Sequence, residues 1–347
     1  MKIDMNYVKN IMVEILNIPS PGGDTDTAME RLNKEFKSLG CEVFGTNKGA
    51  IYTTIKGEDD ENQKTITAHI DTLGGMVREI KDNGRLKLSG IGGFTWGCVE
   101  GENVAVKTMK GKVYTGSILP VKASVHVHSQ EAYETIRTEE TVEVRMDEDV
   151  HSKEDVLALG IKVGDFVYFE PRTVITENGY IKSRFLDDKA AVAIVFGVCK
   201  YLKENNIKPK YTTNFFISDY EEIGHGVYAI PEKTKEFVAI DIGPVGEGHT
   251  SEEHSVCICA KDSRTPYNFK LRKKLAQLAE ENNIKYAVDV YYRYGSDASM
   301  IALQGKDFNF ACMGPGVDAT HHYERTHFDS LENTIKLIIK YITTKLD

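Results

Sequence analysis

Thiols and indoles are scarce in this sequence, with six cysteines and a single tryptophan, Trp96, among 347 residues. So few cysteines in a chain this long give no disulfide framework, and reduced thiols in a cytoplasmic protein are the expectation. One tryptophan among scattered tyrosines builds no stacking ladder for single-stranded nucleic acid. Basic charge is short as well. Lys and Arg number 43 against 52 Asp and Glu, a formal charge of −9, whereas a general nucleic-acid binder needs a basic face for phosphates. The longest apolar run, Ala190 to Cys199, has ten residues, and a bilayer span needs about 20. Met1 to Asn6 lacks the apolar core of a secretion signal. No Gly-x-Ser-x-Gly elbow occurs, and Gly90 to Gly93 lacks the third glycine and following helix of a dinucleotide loop. What remains is an acidic mixture, 41% hydrophobic and 27% charged. It has the composition of a folded protein and the length of two domains.

Periodicity divides the chain into three stretches. Val8, Ile11, Met12, Ile15 and Leu16 share one helical face. A second helix is predicted from Thr25 to Leu39, stopped by Gly40. Strands follow at Glu42–Phe44 and Ala50–Ile55, then a charged turn at Glu58–Glu61 and an apolar strand over Thr65–Ala68. From Gly74 to Glu177 the pattern becomes short β-prone runs between glycine turns, with one helix at Ser152–Leu159 capped by Ser152. That texture predicts a small barrel. Beyond Tyr180, helices at Lys189–Lys203, Tyr267–Asn282 and Leu331–Lys345 alternate with strands at Thr212–Ser218, Phe237–Asp241, Tyr286–Tyr291 and Phe308–Cys312. The expected fold is a mixed-sheet α/β/α domain interrupted by an inserted β-barrel.

Five polar clusters fall at predicted strand ends, where open α/β sheets build their sites. They are Ala68-His69-Ile70-Asp71, Leu186-Asp187-Asp188-Lys189, Asp219-Tyr220-Glu221-Glu222-Ile223-Gly224, Asp241-Ile242-Gly243 and Thr320-His321-His322-Tyr323-Glu324. Any one of them alone reads as a helix cap, a turn or a loop acid. Together, two histidines and several carboxylates at separate strand ends are the ligand types that a pair of divalent metals requires. Of the adjacent acids Glu221 and Glu222, one can bind metal while the other takes a proton from water.

Ala-His-Ile-Asp, Leu-Asp-Asp-Lys-Ala, Glu-Glu-Ile-Gly and Ile-Asp-Ile-Gly, in this order, resemble the tetrahedral aminopeptidase family. Its members are glutamyl and deblocking aminopeptidases, some carrying an old endoglucanase label. The resemblance implies a zinc-aminopeptidase-like catalytic domain from residues 1–73 and 178–347, with 74–177 as an inserted barrel used for oligomerisation. It implies two divalent ions per subunit, zinc or cobalt foremost and manganese as a further candidate. On the family pattern His69 binds one ion, Asp187 bridges both, Glu222 and His321 hold the second, and Asp241 joins His69. Glu221 is then the general base of peptide hydrolysis. Asp71, two residues beyond His69 on the strand, points to the same side and orients its imidazole. The expected partners are peptide substrates and copies of the same chain, from a dimer up to a tetrahedral dodecamer, with no nucleic acid or membrane.

This sequence departs from the family in three places. Thr72 stands where the family often has Glu. The loop His225-Gly226-Val227 is shorter or altered. His322 competes with His321, which the spacing to Tyr323-Glu324-Arg325-Thr326 favours. Tyr294-Gly295-Ser296-Asp297-Ala298 resembles the family's glycine-containing turn before a helix and reads equally as an ordinary helix start. Cys257 and Cys259 read as buried core, since no second cysteine pair completes a metal site. His126 and His128 are expected to alternate on a strand of the inserted domain. A glycosidase acting through paired carboxylates is the rival reading, and it leaves His69 and His321 without a role.

Overall fold

The computed structural model describes residues 1–345. Two compact units emerge, one built from Met1–Asp71 together with the chain from Arg172 onward, the other from Thr72–Pro171.

The first unit opens with helices α1 (Met5–Leu16) and α2 (Asp26–Ser38) and strands β1 (Val43–Gly45), β2 (Ile51–Ile55) and β3 (Asp59–His69). The five residues predicted to line one face of α1 are its buried residues. Asp59–Glu61, expected as part of a turn, already belong to β3. Asp59 ties down the bend there by accepting the Glu61 and Asn62 N–H groups at 2.8 and 3.0 Å.

The inserted unit is a closed antiparallel barrel. Its strands are β4 (Gly74–Ile80), β5 (Leu86–Ile91), β6 (Asn103–Lys107), β7 (Val113–Pro120), β8 (Val142–Met146) and β9 (Phe166–Phe169), closed in the order β4-β5-β8-β7-β6-β9. Val77, Leu86, Leu88, Val106, Ile118, Val144 and Val167 fill it with almost no exposure. Short helices α3 (Val125–His128) and α4 (Gln130–Glu134) follow β7, and α5 (Lys153–Leu159) follows β8. Ser152 caps α5 as expected, through a reciprocal bond with Asp155. His126 and His128 lie on helical α3, not on a strand, and none of α3 is buried.

The chain then returns through β10 (Val174–Ile175), β11 (Tyr180–Ser183), α6 (Leu186–Glu204), β12 (Tyr211–Ser218), β13 (Thr234–Ile240), β14 (Gly243–Val245) and β15 (Val256–Lys261). Helix α7 (Phe269–Glu281), β16 (Tyr286–Val290), α8 (Asp297–Ala302), β17 (Asn309–Asp318), β18 (Glu324–His327) and α9 (Phe328–Thr343) complete it. All these strands join β1–β3 in one twelve-stranded sheet, whose main path runs β1-β2-β12-β3-β13-β17-β18-β11-β10. β12, β3, β13 and β17 are parallel neighbours, and the flanks are antiparallel. Residues Leu186–Cys199 of α6 are buried on every side. That marks a central helix, and α6 packs between α1, α9 and β3. Among the described residues no helix is long and apolar enough to cross a membrane.

Candidate metal centre

The parallel strands β3, β12 and β13 end side by side, at His69, Ser218 and Ile240. Side chains just beyond such ends converge in the crevice above the sheet. Three other segments reach the same place: the first residues of α6, the short helical turn Glu221–Ile223 and the loop between β17 and β18.

Asp187 sits in the middle. Its Oδ1 lies 3.3 Å from His69 Nε2 and its Oδ2 lies 3.4 Å from His321 Nε2. Each oxygen of one carboxylate therefore faces a different imidazole. His321 Nε2 is also 3.4 Å from Glu222 Oε2, and His69 Nε2 is 3.7 Å from Glu221 Oε2. Two triads offer ligand atoms within 4.8 Å of one another, His69-Asp187-Asp241 and Asp187-Glu222-His321, with Asp187 common to both. His322 belongs to neither triad, and its Nδ1 accepts the Tyr323 N–H at 2.7 Å. All seven residues singled out in the sequence are thus gathered here.

Orientation comes from the surrounding backbone. His69 Nδ1 lies 3.0 Å from the Asp71 carbonyl, so the Nδ1–H is donated there and Nε2 is the nitrogen turned toward Asp187. The Asp71 carboxylate, 3.6 Å from the same ring nitrogen, spends its two oxygens elsewhere. They accept the N–H groups of Glu221 and Glu222 at 3.0 and 3.1 Å, which fixes the acidic turn. A second carboxylate works in the same way on the other side. Glu324 accepts the His321 N–H on Oε1 at 3.0 Å and the Asp187 N–H on Oε2 at 3.1 Å. Sequence reasoning gave Glu324 no role, because its partner Asp187 is 137 positions away. Phe185, Tyr220 and His321 take left-handed φ values of 68, 68 and 62°. Such strain in non-glycine residues gathers where surrounding bonds enforce it.

The neighbouring turn contributes two more groups. The Tyr294 hydroxyl lies 3.5 Å from Cys312 Sγ, and Asp241 accepts the Ile242 N–H at 2.7 Å. Asp297 is buried and accepts the Ser218 hydroxyl. Cys257 and Cys259 are buried as expected, and all six cysteines are free.

Electrostatics define what fits. Burial pushes Glu221 and Asp241 well above the usual carboxylate range and Glu222 up to about 8. Burial opposes ionisation of Asp187 too, but its bonds to His321 and His69 win and hold it below that range. Burial likewise opposes protonation of His69, and there Asp187 and Asp71 prevail and raise it. Carboxylates packed this closely repel one another, and positive charge held among them relieves the repulsion. The donor set, two imidazole nitrogens and three ligand carboxylates, suits zinc, cobalt or manganese and contains no thiolate. These residues fit two divalent cations.

The profile of the M42 glutamyl aminopeptidase family matches residues 49–337. Over 337 residues the chain is 44% identical to the protein named aminopeptidase YhfE of Bacillus subtilis (strain 168), with 97% of each chain covered. Its fold is similar to the TET aminopeptidase of a marine sediment archaeon of the Thaumarchaeota. There the TM-score is 0.88 at 18% identity, covering 97% of this chain and 96% of that one. It is similar too to the Pyrococcus horikoshii TET1 peptidase, with a TM-score of 0.84 at 23% identity, covering 97% and 100%. The structures share the fold, while the profile and the bacterial relative carry the kinship. The chain belongs to the M42 glutamyl aminopeptidase family.

Proposed function

We propose that this protein is a two-metal aminopeptidase that removes N-terminal residues from peptides. One observation carries the reading: both oxygens of Asp187 are engaged by different imidazoles, at 3.3 and 3.4 Å. A carboxylate placed in that way is built to bridge. His69 and Asp241 would complete one site, Glu222 and His321 the other. Divalent ions bound there would supply Lewis-acid polarisation of the scissile carbonyl and make water acidic enough to attack at neutral pH.

Glu221 is assigned as the general base. It stands beside the ligands without belonging to either triad. Asp71 accepts the Glu221 N–H, and Glu221 Oε2 lies 3.7 Å from His69 Nε2. With cations held in the triads Glu221 would stay ionised, ready to take a proton from the attacking water and pass it to the leaving amine. Asp71 positions both His69 and the Glu221–Glu222 turn. The rival glycosidase reading needs two carboxylates flanking a sugar bond; it leaves unexplained why two imidazoles converge on one of them.

Kinship supports a proposal about assembly as well. The Pyrococcus horikoshii TET1 peptidase assembles into a tetrahedron or a large octahedral shell. We propose that this chain forms a homo-oligomer through its barrel unit, as small as a dimer or as large as a dodecamer, in the cytoplasm. A closed shell would admit peptides and exclude folded proteins. The test of the catalytic reading is a panel of aminoacyl-amide substrates assayed after chelation and after zinc, cobalt or manganese is returned. Cleavage that vanishes and returns with metal supports it. Cleavage that survives complete metal removal overturns it. Light scattering of the full chain checks the assembly, which a stable monomer would refute.

A further inference from the structure

Away from the crevice, a second set of metal-ligand side chains meets where β18 runs into α9. His254 in the loop before β15, His327 at the end of β18 and Asp329 in the first turn of α9 bring ligand atoms within 4.8 Å of one another. His254 Nδ1 is 3.0 Å and His327 Nδ1 is 3.3 Å from the same atom, Asp329 Oδ2. Ligands about 2.0–2.1 Å from a tetrahedral zinc stand about 3.3 Å apart. The spacing is that of a coordination edge.

The far side of each ring is already provided for. His327 Nε2 lies 2.8 Å from the Asn178 carbonyl, and His254 Nε2 lies 3.4 Å from the Tyr180 hydroxyl. A ligating histidine almost always donates its second N–H to such a partner, which fixes the tautomer and raises the basicity of the other nitrogen. With Nε2–H donated to Asn178, His327 Nδ1 carries a lone pair. That lone pair faces the Asp329 carboxylate at 3.3 Å, acceptor against acceptor. At present it also accepts the Asp329 N–H at 3.1 Å. A cation would replace that bond and turn the acceptor pair into two ligands. Asp329 occupies the first turn of α9. The rings are held in place, with centroids 4.1 Å apart and Tyr180 edge-on to both. Arg325, the nearby cation over Tyr180, is neutralised by a two-pronged bond to Glu253 at 2.7 and 2.9 Å.

We propose that His254, His327 and Asp329 form a separate binding site for one divalent transition-metal ion, independent of the crevice. Two imidazole nitrogens and one carboxylate oxygen select zinc, cobalt, nickel or copper over magnesium or calcium. Asp329 is about half exposed and His254 a third, so water completes the shell, and the ion exchanges more readily than ions held in the buried crevice. The bound ion would staple the N-terminus of α9 to the loop before β15.

The test is equilibrium dialysis of chelator-stripped full-length protein against cobalt alone. His254→Ala and Asp329→Asn are each expected to bind one equivalent per chain fewer than the unsubstituted protein, with peptide hydrolysis unchanged. Asp187→Ala is expected to keep this equivalent, and magnesium not to fill it. As a second measurement, zinc should shield His254 from carbethoxylation in the Asp187→Ala protein, as read by mass spectrometry. Equal cobalt binding by His254→Ala, Asp329→Asn and the unsubstituted chain would overturn the proposal, as would His254 labelling indifferent to zinc. An Asp187→Ala protein that loses no metal would count against the two-metal reading of the crevice instead, so the two failures are told apart.

Discussion

The barrel fills its interior with aliphatic side chains and buries few charges, whereas the sheet unit draws charges into its centre. In the barrel, Arg78 pairs with Glu140 at 2.7 Å and Arg137 with Glu100 at 2.6 Å, both at the surface. The few acids it buries serve local needs. Asp165 accepts the Met109 and Lys162 N–H groups, and Glu143 meets Lys81 at 2.6 Å. In the sheet unit, His69, Asp71, Asp187, Asp188, Lys189 and Asp241 are all buried together. Burying charge costs several kcal/mol per ion unless partners compensate it, and an exposed pair contributes only about 0–1 kcal/mol. A fold retains the costly arrangement where it does something that the aliphatic one cannot. The buried cluster of ligand-type side chains belongs to the sheet unit.

The contrast breaks most sharply at Asp187. Asp187→Ala should lose detectable aminoacyl-amide hydrolysis and most bound metal. Ile118→Ala, at the heart of the barrel, should cost about 2–5 kcal/mol of stability in denaturant unfolding and leave turnover per folded molecule intact. Retained turnover in the first protein would erase the distinction. Glu221→Gln is expected to lower turnover about 100-fold or more with metal content preserved. Glu222→Gln should instead shed metal, and the opposite pattern would reverse the two roles. Glu324→Gln leaves one backbone N–H of its pair without an acceptor, so metal affinity should fall by about 10–100-fold, measured by competition with a chelating dye. The smallest effect is expected outside, where a double-mutant cycle on Arg78 and Glu140 should return less than about 1 kcal/mol.

Periodicity made much of this legible, but only where burial imposed it. The α1 face and the Thr212–Ser218 strand could be read because each alternates between a buried and an open side or is wholly buried. The Val-His-Val-His run at 125–128 looks like a strand, yet none of it is buried, so its alternation recorded no face at all. Val142–Met146 alternates apolar with charged residues in sequence, yet Glu143 is buried and only Arg145 is exposed. The strand predicted at Phe308–Cys312 runs on to Asp318. Its extension passes through Gly314, where a Cβ would lie 2.0 Å from the Asp241 carbonyl oxygen. There a missing side chain lets two backbones touch, which no hydropathy pattern records. The ligand candidates were visible as clusters at strand ends. The two-handed grip of Glu324 was not, since it depends on loops that meet only in the folded chain.

The place of the insertion also sets an order in time. β3 lies between β12 and β13, with Ala68 opposite Ile217 and Thr67 opposite Ala239. On the ribosome, the first 71 residues therefore wait for partners some 150 or more residues downstream, on the order of ten to thirty seconds of synthesis. The barrel, a continuous stretch, needs nothing outside itself to close its strands. A nascent chain stalled before Tyr211 should show a protease-resistant barrel between flanks that digest freely. His321, the last of the proposed ligands, is made 134 residues after Asp187, the residue it faces. A chain stalled before His321 would lack a member of the proposed metal centre.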